Sequence, residues 1–334
     1  MDLATHAIAG LLIARVRPDW VGRGTVATVL VGASLLPDVD LVAAIVDPTN
    51  AALDRHTLTH SLVFLPVMAA AVAVVVRLTG ARLGTVEAFA LAVLGIAVHL
   101  VLDLINAYGV ALLHPWSDTR FELPLLFIVD PVLTGLLAAL LAASLWLARR
   151  PQQQAGLARI ALIVMVAYLG AAAWLRGDAA AILAAVPGTA SERLLVPEPL
   201  APWRWRGILA VDGGYRQVRI DPVAGTASAL PDVPSASGDP RVAAIRRAGL
   251  LGAADPFLRA PVWTVEGNRV TVHDLRYRFA ALGNRWDPFL FTFEVVGDEV
   301  RPVAATLGER IDRTFATLGE IWRGPAPRRA AAGG

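Results

Sequence analysis

Apolar residues crowd the first half of this 334-residue chain and thin out beyond about residue 176, where Arg, Asp, Pro and Trp concentrate. Over the whole length 56% of residues are hydrophobic and 17% are charged, against about 45–50% and about 25% in ordinary soluble proteins. An excess of that size, held in one half, predicts a membrane-embedded region followed by a water-soluble one. The chain has no cysteine, which excludes disulfides and thiolate-bound metal. All thirty basic residues are arginine, the net charge is only +2, and no long basic run occurs. Nucleic acid is therefore not an expected partner. The opening Met1-Asp2-Leu3-Ala4-Thr5-His6 lacks the basic start of a signal peptide, so this segment is expected to be retained.

A spanning helix needs about 20 mostly apolar residues. Four stretches approach that, at 61–78, 86–106, 125–147 and 157–175. Two others, 3–14 and 26–46, are respectively too short and interrupted by Pro37, Asp38 and Asp40. An aspartate at the bilayer centre costs about 2.5–3.5 kcal/mol on insertion scales, so both are expected as interfacial helices. The expected fold is an all-α membrane domain, about four transmembrane helices plus the N-terminal interfacial helices, followed by a smaller mainly β soluble domain. The boundaries fall at 1–176 and 177–325, with a disordered tail at 326–334. Arg77, Arg82, Arg149, Arg150 and Arg159 flank the short connections. The positive-inside rule then puts those connections in the cytoplasm, and the N-terminal region and loop 107–124 outside.

Beyond Arg176, Val196-Pro197-Glu198-Pro199 and Ala201-Pro202 read as an extended linker. Strand-like runs follow at 205–211, 215–220, 262–265, 270–279 and 290–296. Asp212-Gly213-Gly214 and Glu266-Gly267-Asn268 read as hairpin turns. The stretch 221–240, rich in Pro, Ser, Ala and Gly, reads as loop, and 304–322 as an amphipathic helix.

Five of the six histidines lie before residue 115, in company with Asp38, Asp40 and Asp103. Imidazole and carboxylate together are the ligand set of Zn, Mn and Fe hydrolytic sites. His99 and Asp103, four apart in an apolar helix, share a face. Alone, each residue reads as a helix cap or a hydrogen-bonded core group. Together they gather at one membrane face, which predicts a divalent metal site, Zn or Mn, held by His6, Asp38, Asp40, His60, His99 and Asp103. His56 is a further candidate ligand, and Asn106 and Asp130 are candidates for orientation or substrate contact. Asp38 or Asp40 is expected to bridge two metals or to act as general base. His114 and His273 lie outside the pattern, and Ser61 is expected to support a ligand through a hydrogen bond.

The motifs Thr5-His6, Pro37-Asp38-Val39-Asp40, Thr59-His60-Ser61 and His99-x-x-x-Asp103 resemble the YdjM-like family of membrane-bound metal-dependent hydrolases. The continuations Leu104 to Gly109, His114 to Asp118 and Phe127 to Pro131 are similar to its longer members, as is Asp274-Leu275-Arg276-Tyr277. With the spans and the charge bias above, the resemblance gives an expected multi-pass protein of the inner (plasma) membrane, with the metal site on the extracytoplasmic face. It also implies a helical metal core distantly similar to zinc-dependent phospholipase C and P1-type nucleases, hence a phosphoester or phospholipid substrate. One departure is the order Arg55-His56, where the family pattern has His-Arg; this leaves His60 the stronger ligand. Two other readings draw on the same residues. One is an ion-handling transporter, disfavoured by the few polar groups in 125–147 and 157–175. The other is a membrane-anchored scaffold or regulatory protein whose metal is structural and whose β domain recruits a protein partner.

Overall fold

The computed structural model describes residues 1–41, 56–146, 149–198, 201–251, 257–278, 291–297 and 299–303. The expected helix at 304–322 and the tail at 326–334 lie outside the described residues.

Helices come first. α1 (Leu3–Ile13) is capped by Asp2, whose side chain accepts from the Thr5 N–H. α2 (Gly24–Leu35) runs directly into a 3₁₀ turn, Leu36–Val39. A second 3₁₀ turn, Leu58–His60, leads to α3 (Phe64–Leu78) and α4 (Thr85–Leu104), which pack against each other. After a long irregular loop come α5 (Pro131–Trp146) and α6 (Pro151–Ala185), a second packed pair.

Of the four expected spans, two have spanning length: α4 with 20 residues and α6 with 35. α3 and α5 have 15 and 16 residues, about 22–24 Å of rise against a hydrocarbon core of about 30 Å. Both are cut short at their starts. Ser61 Oγ accepts from the Phe64 N–H, where α3 opens, and donates to the Leu58 carbonyl. Leu125 and Leu126 donate their N–H groups to the Ile105 carbonyl, which draws them out of α5 into the loop. Pro131 then begins the helix, at a position where no N–H is needed. Large apolar side chains stay exposed around this bundle, among them Leu78, Val86, Ile163, Val166 and Trp174.

α6 continues through residue 176, where a domain junction is expected, and ends at Ala185. Its last turns bury Ala179 and Leu183 against Trp205, Leu209 and Ile220. One helix of about 52 Å thus carries the chain from the bundle to the sheets.

The C-terminal region holds two four-stranded antiparallel sheets. The first runs β1 (Arg193–Glu198), β2 (Ala201–Val211), β3 (Gly214–Asp221), β4 (Thr226–Pro234). The second runs β5 (Pro261–Glu266), β6 (Arg269–Asp274), β7 (Phe291–Val296), β8 (Glu299–Val303). Both expected glycine turns join paired strands. Two expectations fail. The linker at 196–199 belongs largely to β1, because Arg193 to Pro197 pair with Trp205 to Leu209 of β2. The loop at 221–240 contains β4 and the start of α7 (Pro240–Arg247), since Thr226 to Leu230 find ladder partners on β3 that outweigh their weak strand propensity. The run 270–279 also stops early: Asp274 accepts from the Arg276 N–H and turns the chain into a 3₁₀ turn, Leu275–Tyr277.

Candidate metal centre

Two glycines set the geometry beneath the site. A Cβ on Gly10 of α1 would lie 2.9 Å from Ser34 Oγ and 3.0 Å from the Leu30 carbonyl. A Cβ on Gly95 of α4 would lie 2.8 Å from Ala33 Cβ and 3.0 Å from that same carbonyl. The backbones of α1 and α4 therefore both close on one turn of α2, an approach that any side chain would block. This closeness brings the Ser34 carbonyl within 2.7 Å of His99 Nδ1 and delivers the following 3₁₀ turn, with Asp38, into the same space.

Four imidazoles and two carboxylates meet there. His6 comes from α1, Asp38 from the turn after α2, His56 and His60 from the approach to α3, and His99 and Asp103 from the last turns of α4. His6, His60, His99 and Asp103 are wholly buried. Potential ligand atoms fall into two groups, each within 4.8 Å: Asp38, His56, His60 and Asp103, and His6, Asp38 and His99. Asp38 belongs to both. Asp103 lies at the middle, its Oδ2 being 3.2 Å from His99 Nε2, 3.3 Å from His60 Nε2 and 3.6 Å from His56 Nε2. Its Oδ1 is 3.3 Å from His6 Nε2 and also meets the Met1 amino group.

The tautomers follow from the outer partners. His99 Nδ1 faces the Ser34 carbonyl and His56 Nδ1 faces the Gly109 carbonyl at 3.3 Å, and a carbonyl can only accept. His60 Nδ1 faces Thr59 Oγ1 at 3.0 Å and Asp40 at 3.5 Å, while Thr59 itself donates to Asp40. All three rings thus carry their proton on the outside and present an Nε2 lone pair inward. Lone pairs of His60 and His99 face each other at 3.0 Å, beside a carboxylate oxygen, Asp103 Oδ2, that makes no hydrogen bond. Among the described residues neither His6 nitrogen makes one of good geometry either. Burial, and next the nearby N-terminal charge, hold His6 far below its ordinary pKa and so neutral. Inward lone pairs, orphaned oxygen and outward-bonded Nδ1–H groups form the arrangement that a metal cation satisfies.

The chain's match to known proteins lies over this bundle: the model of the YdjM inner membrane protein family covers residues 1–179. The chain belongs to that family. No curated protein and no solved structure matches it.

Within the YdjM-type helical region the expected residues separate into those whose atoms converge and those that support them. His6, Asp38, His60, His99 and Asp103 converge, and so does His56 despite the inverted Arg55-His56 order. His56 adopts φ 59°, the one left-handed non-glycine backbone among the described residues. Its N–H donates to Asp40 Oδ2 at 3.0 Å. Asp40, expected as a ligand or base, lies in neither group; it holds the His56 backbone, Thr59 and His60 in place. Asn106 donates to Asp103 Oδ1 at 3.2 Å and accepts from the Tyr108 N–H, an orienting role. Asp130 stands apart from both groups. It caps α5 through the Leu133 N–H and accepts from Tyr168 of α6 at 2.8 Å.

Sequence reasoning passes over Tyr108 and the importance of Arg276. The Tyr108 ring tilts onto His56 with centroids 4.4 Å apart and touches Phe257 on its other side. Arg276, fully buried, donates to Asp274, to Glu122 at 2.9 Å, and to the carbonyls of Ala107 and Phe257. Burial opposes its charge, but Asp274, Tyr277 and Glu122 more than offset this and raise its pKa. Tyr277 also donates to the Ala107 carbonyl, at 3.0 Å. The motif Asp274-Leu275-Arg276-Tyr277 thereby clamps the second sheet onto the loop that covers the centre.

Proposed function

We propose that this chain is a membrane-bound, metal-dependent hydrolase acting on a phosphoester or phospholipid. The observation that carries the reading is the inward convergence of imidazole lone pairs on Asp103, with Asp38 shared between two ligand groups as a bridging carboxylate would be. A divalent ion held there, Zn or Mn, supplies Lewis acidity that activates water and polarises an ester oxygen. The chain's own residues hold neutral imidazoles in one tautomer, orient Asp103 through Asn106 and His60 through Asp40, and exclude bulk water. Tyr108, packed on His56, also lines a cavity of about 270 Å³ with Arg120, Arg259, Arg276 and one acid, Glu122. A basic cavity one side chain from the centre suits an anionic ester.

In this reading residues 1–176 form the membrane-embedded domain and 177–325 the soluble β domain, coupled by α6. The protein is multi-pass in the plasma membrane. α4 and α6 cross the bilayer, and the shorter α3 and α5 follow as hairpin arms where it thins locally. The His/Asp end of the bundle faces the extracytoplasmic side. The absence of cysteine makes single-cysteine labelling direct: Ser117→Cys should react from outside, and Arg82→Cys from inside only.

Metal content by mass spectrometry, on detergent-purified wild type beside His60→Ala and Asp103→Ala, tests the centre. Stoichiometric Zn or Mn lost in both variants, followed by hydrolysis of bis-p-nitrophenyl phosphate or phospholipid, supports the proposal. Metal content unchanged in the variants would refute the assignment.

The complete burial of His6, His60, His99 and Asp103 favours a second reading, a structural metal in a membrane-anchored scaffold. A catalytic ion keeps an exchangeable position, whereas a structural one is saturated by protein. X-ray absorption of the loaded protein, counting oxygen ligands of water type, separates the two.

A further inference from the structure

α6 leaves its apolar run at Arg176. The sixteen residues 160–175 between Arg159 and Arg176 carry no charged side chain and rise about 24 Å. Trp174 stands 69% exposed at the end of the run, at the depth where tryptophan marks the membrane–water interface. A cavity of about 350 Å³ opens at this level. One face of α6, Arg176, Ala180, Leu183 and Ala184, forms its first wall, and Arg193 to Val196 of β1 form the second. Glu122, Arg259 and Arg276 close the far side.

The charges around it do not balance. Arg276 is paired with Asp274 and Glu122, and Arg259 with Glu122 and Glu192. Among the described residues Arg193 has no carboxylate partner; it donates to carbonyls at and just beyond the end of α6, those of Leu183, Ala184, Val186 and Gly188. Arg176 has no hydrogen bond or ion pair among the described residues, and its Nε is buried. Two guanidinium groups thus border one cavity with no carboxylate paired to either among the described residues, one of them with a buried donor unused. Such donors call for an acceptor, and the guanidinium fork matches phosphate oxygens. The alanine and leucine surface of the other walls suits the apolar start of an acyl chain.

We infer that this cavity binds the phosphate of an anionic lipid headgroup, with Arg176 and Arg193 as its cationic contacts. The inference rests on the bilayer placement of α6 proposed above and not on the metal centre, none of whose residues lines the cavity.

The test is calorimetric titration of the full-length, detergent-purified protein with dihexanoyl-phosphatidylglycerol, dihexanoyl-phosphatidylcholine and inorganic phosphate. The expected result is phosphatidylglycerol bound at least tenfold more tightly than either of the others. Arg176→Gln and, by filling the cavity without changing charge, Ala184→Leu should each weaken it at least tenfold. Chelator-treated protein should bind it unchanged. Equal affinity for the two lipids, or wild-type affinity in Arg176→Gln, overturns the site. Inorganic phosphate binding as tightly as the anionic lipid overturns the lipid as its occupant. Loss of binding on chelation assigns the lipid to the metal centre and overturns a separate site, whatever the fate of the hydrolase reading.

Discussion

His60 Nε2 and His99 Nε2 face each other at 3.0 Å across the buried end of α4, each with its ring proton held on the far side by an oxygen acceptor. Two lone pairs at that distance, next to the carboxylate of Asp103, repel unless a cation lies among them. Stability should therefore depend on metal. Chelation should lower the melting temperature, and Zn at about one hundred times its Kd should restore about 2.7 kcal/mol. His99→Ala should abolish the Zn response. A melting temperature indifferent to chelator and Zn in the wild type would count against any metal at this site.

Asp38 and Asp40 are two residues apart in one short turn, yet only Asp38 reaches both ligand groups. Asp40 instead accepts from the His56 N–H and from Thr59 beside His60. Asp38→Asn should eliminate stoichiometric metal, whereas Asp40→Asn should retain it with affinity reduced about 10–100-fold, as for other residues that orient a ligand. Competition with a chromophoric chelator measures both. Equal losses in the two variants would place Asp40 among the ligands.

Arg276 joins the β region to the loop over the centre through Asp274, Glu122 and two carbonyls. Arg276→Ala leaves the buried Asp274 without its cation, while Glu122 keeps Arg259, and should cost about 3–5 kcal/mol. Arg276→Lys should recover little, because one ammonium cannot span four acceptors set around a planar fork. Denaturant unfolding reads the loss. A change below about 1 kcal/mol would show that the clamp does not hold the two regions together.

Burial, and next the charge of Arg278, depress the His273 imidazole to about 3, below the ordinary value of about 6.5. The folded pKa lies below the unfolded one, so the unfolded chain takes up the proton first as pH falls. The stability contributed by neutral His273 is complete above about pH 6.5 and is lost as pH falls towards 3. Melting temperatures across that range should decline less steeply in His273→Gln than in wild type. Parallel slopes would remove His273 as a source of acid lability.

Much of the site was legible in the chain. The four-residue spacing of His99 and Asp103 can only put both on one side of a helix, and they stand 3.2 Å apart. Asp-Gly and Gly-Asn turns made both hairpins, since those residues accept backbone angles that others resist. Spans were less legible. Hydropathy measured apolar length at 61–78 and 125–147, but Ser61, the Ile105 carbonyl and Pro131 set where the helices begin. The end of α6 was hidden for a related reason. Arg176 ends the apolar run, but Ala179 and Leu183 pack on the first sheet and keep the helix going.

Sequence by itself determined the two-part character of the chain, its lack of thiol chemistry, and the residues from which a metal centre could be made. Those are matters of composition and local periodicity. Tertiary structure alone decided that Asp38 lies within reach of both groups of candidate ligands while Asp40 lies in neither, that His56 joins them, and that Arg276, 173 positions beyond Asp103, secures the loop above. Each of those depends on the close approach of α1 and α4 to α2 at Gly10 and Gly95, or on a sheet docking against a loop. Such contacts are distances between segments remote in sequence, and no local pattern encodes them.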